Sequence, residues 1–195
     1  MARHPLRTFV LTLLVVIAGT LGWTEYRIRR AIVTPVTVRH PEGRAAALVV
    51  YHPGISAFPH DIAEGFAAGL AKAGWRIAIT TASASAPVAL GEYDLLVVLA
   101  PTYWWTPARP VLRYVDRLED LGGKPVAVLV TGLGSTHRSQ RVLEAAVRER
   151  GGTVAFARSY WTAAPNKEDE YTWRTNATVG IRLAREAGAT LAPPR

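Results

Sequence analysis

The sequence predicts an α/β fold, a doubly wound five-stranded parallel sheet, preceded by an N-terminal transmembrane helix. Two patterns predict the sheet. Apolar runs such as Leu95 to Ala100 carry no polar alternation, which is how a strand reads when helices cover both of its faces. Between such runs lie segments with apolar residues at helical spacing, several of them closed by glycine. A third pattern predicts the membrane helix: Thr8 to Thr24 is free of charge and rich in Leu, Val and Ile.

The elements follow in order. Thr8 to Thr24 spans roughly 26 Å at helical rise, near the lower limit for crossing the hydrocarbon core. Trp23 and Tyr26 lie at one end, where amphipathic rings favour the membrane interface. Arg3 and Arg7 precede the stretch and Arg27, Arg29 and Arg30 follow it. That balance favours a single-pass anchor with the C-terminal domain in the cytoplasm. A cleaved signal peptide is the competing reading, although the apolar run is long and Ala18-Gly19-Thr20 is a poor cleavage site. The chain thus divides into an anchor with basic flanks (1–30), a linker (31–44) and a folded domain (45–195).

In the linker, Val33 to Val38 can form a short strand, but Pro35 and Pro41 argue against a central one. Ala45 to Tyr51 is the first buried strand. Ile62, Phe66 and Leu70 mark a helix that ends at Gly74. Arg76 to Thr81, which alternates more, reads as an edge strand. The third strand, Leu95 to Ala100, is stopped by Pro101, which has no N–H for the ladder. A helix from Ala108 or Pro110 to Leu121, a strand from Pro125 to Val130 and a turn over Thr131–Ser135 come next. Val142, Leu143, Ala146 and Val147 stripe another helix, Thr153 to Ala157 is the fifth strand, and a last helix runs from about Tyr171 to Ala187. Five strands with helical crossovers commonly take the order 2-1-3-4-5, whose ligand crevice lies at the ends of strands one and three. Here those ends are His52–Phe58 and Pro101–Thr106. Three aromatics, Tyr103, Trp104 and Trp105, follow the third strand, and a flat aromatic ligand is the natural guess.

Composition removes several classes. With no cysteine among 195 residues, disulfides, thiolate catalysis and cysteine-ligated metal centres are excluded. The net charge of +8 rests on arginines, many of them beside the apolar stretch, and no nucleic-acid-binding motif accompanies it. A Walker loop, a Gly-x-Ser-x-Gly elbow and histidine pairs at metal-ligand spacing are all missing. Single residues carry plainer readings. Ser56 can N-cap a helical turn, and His52 can shape its loop. Asn176-Ala177-Thr178 matches a glycosylation sequon that matters only on a secreted face.

The three loops together carry a resemblance. Tyr51-His52-Pro53-Gly54-Ile55-Ser56-Ala57-Phe58 is similar to the His-Pro…Ser-Phe loop of flavodoxin-like quinone reductases. Pro101-Thr102-Tyr103-Trp104 is similar to the Pro-x-Tyr segment that packs against an isoalloxazine ring, and Thr131-Gly132-Leu133-Gly134-Ser135 stands where the last flavin-contacting loop lies. Residues 45 to about 190 therefore resemble the flavodoxin-like family, of the flavodoxin or NAD(P)H quinone reductase type. The resemblance implies noncovalent FMN, with FAD less favoured, and electron transfer without a catalytic side chain or a metal. The residues it points to for the flavin are His52, Ser56 and Phe58; Pro101, Thr102, Tyr103, Trp104 and Trp105; and Thr131, Gly132 and Gly134. NAD(P)H and a quinone are the partners it suggests, beside the membrane reached through residues 8–24. A protonated histidine, His52 or His60, is a candidate helper for the phosphate. Unlike the acidic electron carriers of that family, this chain is basic, and its first loop offers only the Ser56 hydroxyl. The alternative is a flavodoxin-fold interaction module that has lost its flavin.

Overall fold

The computed structural model describes residues 5–194; residues 1–4 of the expected anchor, including Arg3 of its basic flank, and Arg195 lie outside that range. Helix α1 (Pro5–Arg29) holds the uncharged stretch, with its side chains exposed along nearly the whole length. By length and composition it is a candidate membrane span, a description that a signal sequence also meets.

Strands and helices then alternate: β1 (Thr37–Arg39), β2 (Ala45–Tyr51), α2 (Phe58–Lys72), β3 (Trp75–Thr81), β4 (Leu95–Tyr103), β5 (Thr106–Pro107), α3 (Arg109–Arg117), β6 (Pro125–Gly132), α4 (His137–Glu149), β7 (Thr153–Trp161) and α5 (Asn176–Thr190). The sheet order is β1-β3-β2-β4-β6-β7, with β5 paired to β4. Its five parallel strands keep the expected 2-1-3-4-5 order. Two additions make it a mixed, seven-stranded sheet among the described residues.

Both faces are buried, as the unbroken apolar runs require. Along β2, Ala45, Ala47, Val49 and Tyr51 pack toward α2 and α5, while Ala46, Leu48 and Val50 pack toward α3 and α4. Helices α2 and α5 cross so closely that a Cβ on Gly69 would sit 2.1 Å from the Arg185 carbonyl oxygen, and one on Gly188 would sit 2.3 Å from that of Phe66. Side chains there would force the helices apart.

Several expectations are corrected. The linker strand is shorter than Val33–Val38 and antiparallel: Thr37, Val38 and Arg39 pair with Ile79, Ala78 and Ile77. It covers β3, which is consequently not an edge strand. Thr34 fixes this register by accepting at its carbonyl from the Thr80 hydroxyl, 3.0 Å, and by donating its N–H to the Thr81 hydroxyl, 3.1 Å. Pro101 does not stop β4. The last β2–β4 pair is Tyr51 with Leu99, so Pro101 lies beyond it, where that side of β4 has no ladder to lose. On the other side β4 runs on against Thr131.

Helix α3 ends at Arg117, and Leu118 turns extended to bury itself with Leu121. The final helix begins five residues later than expected, because the Thr172 hydroxyl accepts from the Thr175 N–H and holds the preceding turn outside the helix. Ser56 caps no helix: the residue before α2 is Ala57, and α2 opens without a side-chain cap. Asn176 is fully buried with its amide hydrogen-bonded, which leaves the sequon no exposed acceptor in the folded domain.

Candidate functional site

Where β2, β4 and β6 end, a cavity of about 390 Å³ opens between three loops. Its walls include Ile55, Ser56, Phe58 and Pro59 from the first loop and the start of α2, and Pro101, Thr102 and Tyr103 from the end of β4. Thr131, Gly132, Leu133 and Thr162 complete it. The volume is within the range of small-molecule sites, and no lining residue is charged.

Tyr103 joins the first two loops. The Ile55 N–H donates to its hydroxyl oxygen at 3.0 Å. Gly54 makes that approach possible: it has φ of +69°, and a Cβ there would lie 2.6 Å from the Tyr103 hydroxyl and 3.3 Å from the Pro101 ring. Burial raises the Tyr103 phenol above its ordinary range, with the Ile55 N–H opposing. The phenol therefore stays neutral and presents an aromatic wall.

The third loop is held from behind. The Thr162 N–H donates to the Gly132 carbonyl at 3.0 Å, and the N–H groups of Ala163 and Ala164 donate to that of Leu133 at 2.9 and 2.8 Å. Beneath them the Asn176 amide donates to the carbonyls of Ala164, 2.6 Å, and Trp161, 3.0 Å. Its oxygen accepts from the backbone N–H of Asn166 at 3.1 Å. A buried asparagine satisfied on every side fixes the loop without touching the cavity.

Two polar atoms in this wall lack partners. The hydroxyls of Thr102 and Thr131 are buried and unpaired among the described residues. An unpaired buried hydroxyl costs about 1–3 kcal/mol by mutational measures. Hydroxyl groups beside an apolar aromatic slot suit a flat heterocycle edged with carbonyl and ring-nitrogen groups. Among the described residues no cluster of His, Asp or Glu is able to hold a metal ion.

Seven of the eleven residues singled out in the sequence meet in this wall: Ser56, Phe58, Pro101, Thr102, Tyr103, Thr131 and Gly132. Four do not. His52 lies fully buried behind the first loop, with both ring nitrogens unpaired among the described residues. Desolvation pushes it down to about 4, against a weak opposing pull from the Ile28 carbonyl of α1, which lies outside hydrogen-bonding geometry. The imidazole is neutral near pH 7 and supplies no charge to a phosphate. His60 shares its Nδ1 with the Tyr51 hydroxyl at 2.9 Å.

Trp104 and Trp105 form the two-residue turn between β4 and β5, with φ of 50° and 59°. Such a turn suits Asn-Gly, and left-handed backbone at a bulky residue costs about 1–2 kcal/mol. Both indoles are exposed, at 70% and 61%. Gly134 packs against Ala164 instead of the cavity.

The residues missed in the sequence are Ile55, Pro59, Leu133 and Thr162. The first three sit within or beside the loops already singled out, but nothing marks them chemically. Thr162 follows the fifth strand, where position alone was available as a signal.

A larger cavity, about 500 Å³, lies at the opposite end of the sheet, lined by Trp75, Asp94, Leu121 and the chain after α5. None of the three loops reaches it, and every buried side-chain nitrogen or oxygen left unpaired among the described residues is elsewhere.

No family model matches the chain, and no curated protein matches it in sequence. Solved structures do match. A WrbA-like flavodoxin from Agrobacterium tumefaciens aligns over 74% of this chain and 93% of its own, with 18% identity and a TM-score of 0.53. Oxidised Flavodoxin 2 from Bacillus cereus aligns over 73% and 99%, with 21% identity and a TM-score of 0.54. The azoreductase AzrA aligns over 75% and 100%, with 14% identity and a TM-score of 0.56. The chain has a flavodoxin-like fold.

Proposed function

From the flavodoxin-like fold as premise, we propose that this chain is a membrane-anchored, FMN-binding oxidoreductase or electron-transfer protein. The observation that carries the reading is an uncharged slot closed by Tyr103 at the crevice of the sheet, with the unpaired hydroxyls of Thr102 and Thr131 buried in its wall. Thr102 and Thr131 would hydrogen-bond the polar edge of the ring, while Pro101 and Tyr103 flank its face. Ser56 and the uncapped first turn of α2 would receive the phosphate through hydroxyl and N–H groups. Bound FMN supplies the redox chemistry; the protein binds, orients and shields it. The uncharged, largely apolar lining would shield one part of the ring and place no charge beside it.

NAD(P)H as donor and a quinone as acceptor fit this reading, with the domain on the cytoplasmic side. The test is the absorption spectrum of the full chain purified in detergent, with the flavin released by heat identified. A yellow protein releasing FMN supports the proposal. A colourless protein that binds neither FMN nor FAD overturns it.

One observation favours a second reading, a flavodoxin-fold interaction module without flavin: the cavity lacks any cationic side chain for a phosphate, and both nearby histidines are otherwise placed. Melting with and without FMN separates the two, because a ligand of the native state raises Tm.

A further inference from the structure

Exposed large apolar side chains are not spread evenly over this domain. Past β1, those among the described residues are Ile55, Trp104, Trp105, Leu133, Tyr171 and Trp173. All six belong to loops at the carboxyl end of the sheet. Ile55 and Leu133 line the cavity, and the two tryptophans follow Tyr103 directly. Tyr171 is tied to the same rim, since its hydroxyl donates to the Ala163 carbonyl at 2.9 Å and the Ala163 N–H donates to that of Leu133. Leu133 and Trp173 are 75% and 73% exposed. The opposite end presents Glu42, Glu92, Glu119 and Asp120 instead. Exposed apolar side chains gathered around one site mouth mark an interaction surface.

Helix α1 says which one. It arrives at this end of the sheet: Ile28 in its last turn is buried, and Glu25 has Trp104 and Arg109 among its polar neighbours. From Arg29 to Thr34, which is bonded to Thr81 at the carboxyl end of β3, there are five residues, a reach of at most about 18 Å. An anchor so tethered leaves the rim little room to stand away from the bilayer. Arginines sit where headgroups would: Arg27 over Trp23, Arg30 over Tyr26 and Arg174 over Trp173. Of the acidic residues nearest, Asp169 and Glu170 are paired with Lys167, and Glu170 also with Arg182, while Glu168 makes no ion pair among the described residues.

We infer that this rim is a bilayer-docking surface, so that the cavity opens onto the headgroup region and takes its reaction partner from the lipid phase. Trp104, Trp105 and Trp173 occupy the interface, as Trp does in membrane proteins. Leu133 and Ile55 face the acyl boundary. The left-handed turn at Trp104 and Trp105 serves this surface by pushing both indoles outward. The docking rests on α1 being a retained anchor and not on the flavin; that the cavity draws a reaction partner from the lipid phase rests on the proposed function.

The natural chain has no cysteine, so single-cysteine reporters need no background removed. Nitroxide labels would be placed by Leu133→Cys, Trp173→Cys, Val15→Cys and Glu119→Cys in the full chain, reconstituted into phosphatidylcholine–phosphatidylglycerol vesicles. The readout is collision with oxygen against collision with a water-soluble nickel chelate. The docking surface requires Val15, Leu133 and Trp173 all to favour oxygen, and Glu119 to favour nickel. Should Val15 favour oxygen while Leu133 and Trp173 match Glu119, the anchor stands and the docking is overturned; the rim then belongs to a protein partner. A nickel-accessible Val15 removes the anchor and the docking together. Circular dichroism of each variant confirms folding, and the readout is unaffected by whether flavin is bound.

Discussion

The two ends of the sheet are built from the same strands and are finished differently. At the amino end, polar groups are paired. Asp94 accepts the Ala46 N–H at 2.9 Å, the Leu121 N–H donates to the Arg150 carbonyl at 2.7 Å, and the Asp120 carboxylate accepts the Gly122 N–H at 3.0 Å. Left-handed backbone there falls on Gly74, Gly122, Gly123 and Gly151, with His40 the exception. At the carboxyl end, left-handed backbone falls on Gly54 but also on the non-glycine residues Trp104, Trp105 and Ser135, and buried polar atoms of His52, Thr102, Thr131, Ser139 and Tyr160 find no partner among the described residues. The larger cavity is at the amino end, yet the strain and the unmet hydrogen bonds are at the other. Strain and unpaired polarity gather at the candidate site, whereas volume alone points to the other end.

The comparison breaks hardest at Asn176. Its amide holds two carbonyls and one N–H beneath the third loop. Asn176→Ala is expected to destabilise the domain by roughly 3 kcal/mol, because buried backbone groups are left unpaired. Urea denaturation measures this, and a loss below about 1 kcal/mol would mean that the loop is held by other means.

His52 gives the next largest effect, and it depends on pH. Its folded value, about 4, lies below the unfolded value near 6.5, so the unfolded chain binds more protons between those limits. The contribution is fully present above pH 6.5 and is lost as pH falls toward 4, amounting to about 3 kcal/mol. Stability curves at pH 4.5 and 7 are expected to differ by much less in His52→Leu than in the natural chain. Equal pH dependence in both would show that His52 is not desolvated as its burial implies.

Gly54 is smaller in effect and more local. Gly54→Ala is expected to cost about 1–2 kcal/mol for its left-handed backbone and to displace the Tyr103 hydroxyl from the Ile55 N–H. Weaker FMN binding would accompany that displacement. Unchanged flavin affinity would mean that Tyr103 is not part of the ring's wall.

Much of this end was readable from residues alone, because the parallel strands announce themselves by unbroken apolar runs and the crevice follows from strand order. What was not readable depends on distant partners. Pro101 looked like a stop, since only the end of β2 at Tyr51 reveals that its missing N–H is not needed. The linker reads as a short strand that is not central, but its place as an antiparallel partner covering β3 shows only where Thr34 meets Thr80 and Thr81. Trp104 and Trp105 looked like ring-stacking residues. Their left-handed backbone, which no local propensity favours at tryptophan, leaves both exposed beside the cavity and outside its wall. Asn176 looked like a sequon because its burial depends on the 161–166 segment folding over it.

The finest distinction between the two ends is one of sign. Thr131→Val, and Thr102→Val likewise, removes a hydroxyl that has no partner among the described residues while keeping its shape. Stability without flavin should then rise, by up to about 1 kcal/mol, since a desolvated polar group is replaced by a methyl. FMN affinity should fall by up to roughly tenfold, the value of one lost hydrogen bond. Asp94→Ala at the amino end should do the reverse, costing about 1 kcal/mol for a satisfied bond and leaving FMN affinity alone. Denaturation with and without FMN, on all three variants, reads both quantities at once. If Thr131→Val lowers stability without flavin, the hydroxyl is already satisfied and the carboxyl end is no different in kind from the amino end. If it raises stability and leaves FMN affinity unchanged, the unpaired hydroxyl awaits some other ligand.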